Sequence, residues 1–130
     1  MNTLTIDIRK AEPSDAGAIA EVHLQAWRGA YSGIIPHRTL TSMINRRGAD
    51  WWANAIRRAA TVLVVEIGGE IAGYATIGKN RARELRQQGE IYELYLRPEF
   101  QGLGFGRRLF TAARRDLLQS GLKSMRGQRR

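Results

Sequence analysis

The chain reads Gln101-Gly102-Leu103-Gly104-Phe105-Gly106-Arg107 between a predicted strand and a predicted amphipathic helix, and this glycine loop is the most specific local feature of the sequence. Glycines let the backbone turn tightly and bring consecutive N–H groups close to a ligand. The start of the next helix adds unpaired N–H donors and the positive end of a dipole. Arg107 and Arg108 stand at that same end, where positive charge is unfavourable unless an anion is bound. The glycine loop therefore predicts a phosphate or diphosphate ligand.

Two better-known phosphate motifs fit this loop less well. The sequence contains no G-x-x-x-x-G-K-[ST] run of the P-loop type. A dinucleotide fingerprint needs G-x-G-x-x-G early in a βαβ unit and an acidic residue about 20 positions later. Here the spacing is G-x-G-x-G, the loop lies late in the chain, and Asp116 comes too soon.

The segment before the glycine loop, Glu90–Leu96, predicts a strand whose apolar residues do not alternate cleanly. Ile91 is out of phase with Leu94 and Leu96, so a regular period of two cannot bury all three. A β-bulge near Glu93 would bring them to one face, and bulges are frequent beside active sites. Alternatively, the strand is buried on both faces.

The helix after the glycine loop, roughly residues 104–120, has an apolar residue at every fourth position, as expected for one buried face. The apolar positions of the helix are Phe105, Leu109, Ala113 and Leu117.

Upstream, Thr61–Ile67 and Glu70–Ile77 predict a β-hairpin joined by Gly68-Gly69, and an arginine-rich loop over 79–89 follows.

A strand and two helices are predicted before the hairpin. Thr5–Arg9 alternates as a strand does, and Pro13-Ser14-Asp15 offers capping residues for a helix. A second helix is predicted over roughly residues 40–60, so the element order is β-α-α-β-β-β-α, an α/β architecture with a mixed sheet. The expected buried positions are Ala16, Ile19, Ala20, His23 and Trp27 in the first helix, and Trp51, Trp52 and Ile56 in the second.

The composition is that of one ordinary globular domain with excess positive charge. The 130 residues are 43% hydrophobic and 25% charged, which excludes wholesale disorder, collagen-like repeats and coiled coils. The net charge is +9, and residues 79–130 carry +8 of it, with 13 basic and 5 acidic side chains. Most of the basic residues are arginines, whose planar guanidinium groups suit phosphate oxygens. A solvated basic surface is the alternative explanation.

No membrane, secretion, disulfide or metal signal is visible in the sequence. No run approaches the roughly 18 apolar residues of a membrane span, and MNTLTIDIRK lacks the apolar run of a signal peptide. The chain has no cysteine, and neither His23 nor His37 has a carboxylate at ligand spacing, so no metal is expected. A cytoplasmic protein is the expectation.

The segment Leu94–Leu109 resembles the acetyl-CoA-binding motif of the GNAT N-acetyltransferase superfamily. That motif reads Q/R-x-x-G-x-G/A after the fourth strand, and Gln101, Gly104 and Gly106 match its fixed positions. The element order also resembles that fold up to its third helix, so the resemblance covers almost the whole chain. The segment Ala26–Pro36 resembles the acceptor-side loop of many GNAT proteins.

The resemblance implies how acetyl-CoA would bind. Backbone groups of the fourth strand would run along the pantetheine arm, one N–H would polarise the thioester carbonyl, and the amides of the glycine loop would hold the diphosphate. The implied cofactor-binding residues are Leu94, Tyr95, Leu96, Gln101, Gly102, Leu103, Gly104, Phe105, Gly106 and Arg107.

The resemblance also implies an acceptor amine that attacks acetyl-CoA directly after losing a proton to a carboxylate on the fourth strand, often through water. Glu90 matches the position of a glutamate base in some family members, and Glu93 lies at the proposed bulge. Each could instead be a surface carboxylate paired with an arginine. Trp27 and Tyr31 could line the acceptor site, although Trp27 also suits core packing.

The sequence departs from the family pattern after the third helix. The family continues with a strand, a helix and a final hairpin, and that helix often carries a tyrosine that protonates the leaving thiolate. Here residues 122–130 show no strand pattern and no tyrosine, so we expect a domain over 1–121 and a basic, disordered tail. The fourth strand would be left as an open edge through which two copies could pair as a homodimer.

The leading hypothesis is an acetyl-CoA-dependent N-acetyltransferase acting on a primary amine, carried by a small molecule or a peptide, with its activity impaired if the missing elements matter. A non-catalytic acyl-CoA-binding remnant or regulatory module is the alternative. A nucleic-acid-binding module is disfavoured because no helix-turn-helix or aromatic RNA-binding signature accompanies the charge.

Overall fold

A computed structural model describes residues 5–58, 60–79, 88–119 and 124–126. The element order confirms the predicted α/β class. None of the helices in these ranges is long and apolar enough to cross a membrane. The strands are β1 (Ile6–Lys10), β2 (Thr61–Ile67), β3 (Glu70–Lys79), β4 (Gln88–Leu96) and β5 (Ser124–Arg126), and the helices are α1 (Ala16–Tyr31), α2 (His37–Asn45), α3 (Ala49–Arg57) and α4 (Phe105–Gln119).

The strands form one sheet in the order β1-β2-β3-β4-β5. β1 to β4 pair antiparallel with their neighbours in sequence, and the predicted hairpin turn at Gly68-Gly69 joins β2 to β3. Gly69 has a φ of 84°, a conformation that glycine adopts without steric cost.

The sheet has an aliphatic face and an aromatic face. On the aliphatic face α4 buries Leu109, Ala113 and Leu117, three of the four predicted positions, and Phe105 is half-buried there. On the aromatic face α1 and α3 pack against Tyr74 of β3. The separation follows from the strand period of two, which sends successive side chains to opposite faces.

The predicted helix over residues 40–60 is two helices, so three helices precede β2. α2 ends at Asn45, and α3 starts after Gly48, which stands at its N-cap. Trp52 is buried as predicted, but the prediction for Trp51 is wrong, because its side chain is 41% exposed. Adjacent residues point about 100° apart on a helix, so a narrow buried face takes one of the two rings.

β4 carries the bulge that the sequence favoured as one of two interpretations. Thr76 of β3 lies opposite Glu93, whereas the next residue, Ile77, lies opposite Ile91. Tyr92 is therefore the extra residue on β4, and it shifts the phase of the strand. As a result Ile91, Leu94 and Leu96 all contribute to the aliphatic core.

The structure differs from the predicted disordered tail at three residues. Ser124–Arg126 forms the short strand β5, which lies parallel to β4 opposite Gln88–Glu90. Strand pairing uses main-chain groups and needs no side-chain alternation, so a pattern search does not reveal so short a strand. The other residues of the tail, and residues 80–87 of the arginine-rich loop, lie outside the described ranges.

Candidate functional site

The glycine loop turns the chain from the end of β4 into α4 through two glycines with positive φ. Gly102 has φ 78° and Gly104 has φ 87°, and, apart from the glycine itself and its two chain neighbours, no atom of the described residues lies within 4 Å of the position that a Cβ would take at either residue. Helix α4 then begins at Phe105, and Arg108 donates its backbone N–H to the Gly104 carbonyl at 3.2 Å. The first N–H groups of a helix have no intrahelical acceptor, so this turn offers several donors to an open space.

The loop is anchored to the strand that precedes it. Gln101 donates from Nε2 to the Leu96 carbonyl at 3.2 Å, and a 3-10 turn over Pro98–Phe100 leads into it. The ring of Phe100 packs edge-on against Phe105 with centroids 6.1 Å apart. The space beside the loop is thus fixed by packing and by a hydrogen bond.

The outer edge of β4 is open beside this loop. β5 pairs with Gln88–Glu90 and no further, so within the described residues the segment Ile91–Leu96 has a strand partner on its β3 side alone. We call this open edge of β4, over Ile91–Leu96, the slot, and it ends at the glycine loop. This arrangement suits an extended ligand with a phosphorylated end.

Glu93 is held by an arginine that lies 46 residues earlier in the chain. Arg47, between α2 and α3, donates from Nη1 to both carboxylate oxygens of Glu93, at 2.8 and 2.9 Å. The Arg47 guanidinium also stacks over the ring of Trp51 at 4.5 Å from its centroid. The side chains of Arg47 and Glu93 are 35% and 16% exposed. The ion pair is thus partly open to solvent.

Glu90 lies at the other end of the bulge. It pairs in register with Gly78 of β3 and with Arg126 of β5, and its side chain is half-buried. Two residues separate Glu90 from Glu93, and Tyr92, the extra residue of the bulge, is one of them. Ile91 faces the aliphatic core, so the adjacent Glu90 faces the aromatic side, because successive strand residues point to opposite faces. The contact with Arg47 places Glu93 on the aromatic face as well.

A cluster of aromatic rings fills the aromatic face beside the bulge. Trp27 packs against Tyr31 with ring centroids 5.1 Å apart, and Tyr74 packs against Tyr95 at 5.8 Å. His23 connects the two pairs, because its ring lies 5.2 Å from that of Trp27 and its Nδ1 lies 3.3 Å from the Tyr74 hydroxyl. Trp27, Tyr31 and Glu93 have one neighbour in common, because all three act on the phenol of Tyr95.

Burial controls the protonation of this cluster. It lowers the pKa of His23 to about 4, with a smaller contribution from the positive charge of Arg47. Burial, and then the negative charge of Glu93, raises the pKa of both Tyr74 and Tyr95. At neutral pH the imidazole is therefore uncharged and both phenols keep their protons.

The indole N–H of Trp27 is buried without a hydrogen-bond acceptor among the described residues. It lies near the Tyr95 hydroxyl but outside hydrogen-bond geometry. A buried donor without an acceptor is uncommon in folded proteins, and at a site it is available to a ligand.

The sequence found some of these residues and missed others. The roles expected of Glu90, Glu93, Trp27 and Tyr31 stay predictions, whereas His23 is buried as expected of a structural histidine. Arg47 was not identified, because its role depends on a contact between residues far apart in the chain. Its position four residues before Trp51 is the one local signal that pointed to it.

Comparison with known proteins identifies a family. The family model described as "Acetyltransferase (GNAT) family" matches residues 21–127. Among curated proteins, the chain is 34% identical to the uncharacterized N-acetyltransferase YuaI of Bacillus subtilis, over 92% of this chain and 69% of that protein. It is 26% identical to spermidine N(1)-acetyltransferase of Thermoplasma acidophilum, over 95% of this chain and 77% of that protein.

Solved structures share the fold. PaiA N-acetyltransferase of Thermoplasma acidophilum, crystallised with coenzyme A, superposes with a TM-score of 0.78 at 22% identity, over 91% of this chain and 75% of that chain. Salmonella typhimurium YncA, solved with acetyl-CoA, superposes with a TM-score of 0.69 at 27% identity, over 95% of this chain and 69% of that chain.

Proposed function

Because the chain belongs to the GNAT acetyltransferase family, we propose that it transfers the acetyl group of acetyl-CoA to a primary amine by direct attack. One observation carries the proposal: two positive-φ glycines and the free N–H groups of α4 face an open space at the end of the uncovered edge of β4. That combination fits a ligand with a long extended arm and a diphosphate. Solved relatives with this fold hold coenzyme A or acetyl-CoA.

The chain binds the donor through its main chain. Amides of Gly102 to Arg107 hold the diphosphate, and the outward backbone groups of Leu94, Tyr95 and Leu96 align the pantetheine arm. Acetyl-CoA supplies an activated thioester, and one fixed N–H of β4 polarises its carbonyl. A preorganised donor of this kind is worth roughly 10²–10³ in rate.

The acceptor amine enters from the aromatic face. Trp27 and Tyr31 pack against each other and provide flat surfaces against which an amine or its carbon chain can pack. Arg47 neutralises the charge of Glu93, so the proposed acceptor side is not strongly anionic although it contains Glu90 and Glu93. Spermidine N(1)-acetyltransferase among the relatives makes a polyamine one acceptor to assay.

Glu90 is the residue we propose as the general base, acting through water. Both oxygens of Glu93 already accept hydrogen bonds from Arg47, which leaves them less able to take a proton from an amine. Glu93 then holds Arg47 and the bulge in position. A pair of variants separates the two roles, because loss of a base lowers kcat whereas loss of a positioning residue alters KM as well.

Two measurements test the proposed function. Calorimetric titration of the full chain with acetyl-CoA should show one site, and a thiol-release assay over a panel of amines should show turnover with at least one of them. Failure to bind acetyl-CoA would refute the proposal at its first step. Binding without turnover on any amine would leave a cofactor-binding protein and refute the transferase activity.

A further inference from the structure

A groove runs between β1 and α4, on the aliphatic side of the sheet and away from the proposed active site. It consists of two adjoining cavities of about 450 and 240 Å³, which share Ile8, Ala112 and Arg115 in their walls. β1 and β4 are separated by β2 and β3, so the groove lies three strand spacings, about 14 Å, from the slot along β4. Arg107 borders both the groove and the donor site, whereas Ile8 and Arg115 belong to the groove alone.

The wall formed by α4 carries three arginines and one carboxylate, Asp116, which lines the smaller cavity. Arg107, Arg108 and Arg115 line the larger cavity, all three are exposed, and none makes an ion pair with another residue of the described ranges. Arg115 stands ten residues after Phe105, about 15 Å along the helix, and is out of reach of a diphosphate held at the helix start. Its charge is free to meet another anion.

The floor of the groove is apolar and belongs to an edge strand. Ile6 and Ile8 of β1 pack against the aliphatic core but are not fully buried. Ala11 donates to the Val62 carbonyl and Gly68 donates to the Thr5 carbonyl, so the odd-numbered positions bond to β2. The backbone groups of Ile6, Ile8 and Lys10 thus point to the other edge, where no strand lies among the residues that the structure covers.

We propose that this groove binds an extended, acidic segment of another protein, which adds to β1 as a further strand. Strand addition satisfies the outward backbone groups of β1, and alternate side chains of the added strand face α4. Carboxylates at those alternate positions would meet Arg108 and Arg115. This interaction is separate from acetyl transfer.

Two other occupants fit the groove less well. A nucleic acid would use aromatic side chains for base stacking, and the residues lining the two cavities include none. A second copy of this chain would bring the same basic surface and a net charge of +9. An acidic protein segment satisfies both the charge and the open strand edge.

The probe for the test is the labelled heptapeptide acetyl-Glu-Val-Glu-Val-Glu-Val-Glu-amide, titrated against the full chain by fluorescence anisotropy. We expect saturable binding that weakens as salt is added, and no binding of the peptide in which lysine replaces each glutamate. A docked strand uses the N–H groups of alternate residues. N-methylation of one alternate set should therefore weaken binding about tenfold or more, while methylation of the other set should not.

Two variants of equal charge locate the binding surface. Arg115→Glu should weaken peptide binding about tenfold or more, because it replaces a charge-assisted contact with a repulsion. Arg58→Glu, an exposed position at the end of α3, should bind like the unaltered chain. Thermal melts of both variants check that they fold.

Four results would each overturn the proposal. These are no peptide binding, equal losses in the two variants, indifference to both patterns of N-methylation, and displacement of the peptide at lower concentration by a pentauridylate without terminal phosphates, whose four phosphodiesters match the net charge of the peptide. The last result would show that the groove prefers a nucleic acid.

Discussion

The two faces of the sheet are built from different chemistry. The face under α4 is an aliphatic core of leucine, isoleucine, valine and alanine, and the glycine loop projects from its end. The face under α1 and α3 contains aromatic rings, the buried His23 and the Arg47–Glu93 ion pair. Among the described residues His23 is the sole buried residue with a polar or charged side chain, and it lies on the aromatic face.

The two faces therefore have different roles in the proposed reaction. A rigid aliphatic face fixes the main-chain groups that hold the donor, and main-chain donors need no side-chain chemistry. The aromatic face supplies titratable groups and ring surfaces for the acceptor. If the division is correct, changes on one face alter donor affinity, and changes on the other alter proton transfer and pH dependence.

The largest expected effect is a loss of kcat that is not accompanied by a loss of acetyl-CoA affinity. Glu90→Gln should lower kcat by roughly 10²–10⁴, the usual contribution of a general base, with acetyl-CoA affinity unchanged. Glu93→Gln is the matched control and should retain most of kcat, because Glu93 positions Arg47. Steady-state kinetics with calorimetry measures both. If Glu93→Gln loses kcat and Glu90→Gln keeps it, the two roles are reversed.

Gly104→Val tests whether the glycine loop holds the donor. Valine is strained at φ 87° and its branches fill the open space, so acetyl-CoA affinity should fall roughly 100-fold through loss of charge-assisted hydrogen bonds. Gly69→Val suffers the same strain at φ 84°, also in open space, but at the hairpin. Both variants should lose stability, and Gly69→Val should bind acetyl-CoA normally. Equal affinities in the two variants would contradict the account.

His23 should make stability depend on pH through the aromatic face. The pKa of His23 is about 4 in the folded protein and about 6.5 when the side chain is exposed. Between these two pH values the imidazole is therefore protonated in the unfolded chain and neutral in the folded chain. The free energy of unfolding should fall as the pH drops from 6.5 to 4, by at most about 3 kcal/mol.

Urea unfolding over that pH range measures the effect. His23→Gln should flatten the profile between pH 6.5 and 5, whereas His37→Gln, at an exposed position, should behave like the parent protein. A profile unchanged by His23→Gln would mean that the imidazole is not held neutral by burial.

Gln101→Ala should give the smallest effect. It removes the hydrogen bond to the Leu96 carbonyl that anchors the glycine loop, an interaction worth about 0.5–1.5 kcal/mol. Acetyl-CoA affinity should fall by roughly threefold to tenfold, and kcat should not change. A loss as large as that of Gly104→Val would mean that the side chain contacts the ligand directly.

Local signals explain why the sequence predicts the backbone of β4, the glycine loop and α4 well. The glycine loop, the helix after it and the irregular phase of Glu90–Leu96 are contiguous, and each has its own periodicity or backbone requirement. The misplaced phase of Ile91 indicated a bulge near Glu93 as one of two interpretations, and the structure has the extra residue at Tyr92. Such features do not depend on distant parts of the chain.

The aromatic side depends on contacts that no local pattern encodes. Arg47 and Glu93 are 46 residues apart, and His23 meets Tyr74 across 51 residues. Gly48 stands at the break between α2 and α3, but a single glycine within a run of helix-compatible residues does not by itself predict a break. Which of Trp51 and Trp52 is buried depends on how α3 docks, and tertiary packing decides that.

The most direct test of the central claim is an amide ¹H–¹⁵N spectrum of the labelled chain titrated with coenzyme A. The account predicts large shifts at Gly104, Gly106 and Arg107, as expected for N–H groups that bind a diphosphate, and unchanged resonances at Gly68 and Gly69 in the hairpin. Saturation of binding without movement of the glycine-loop amides would contradict it.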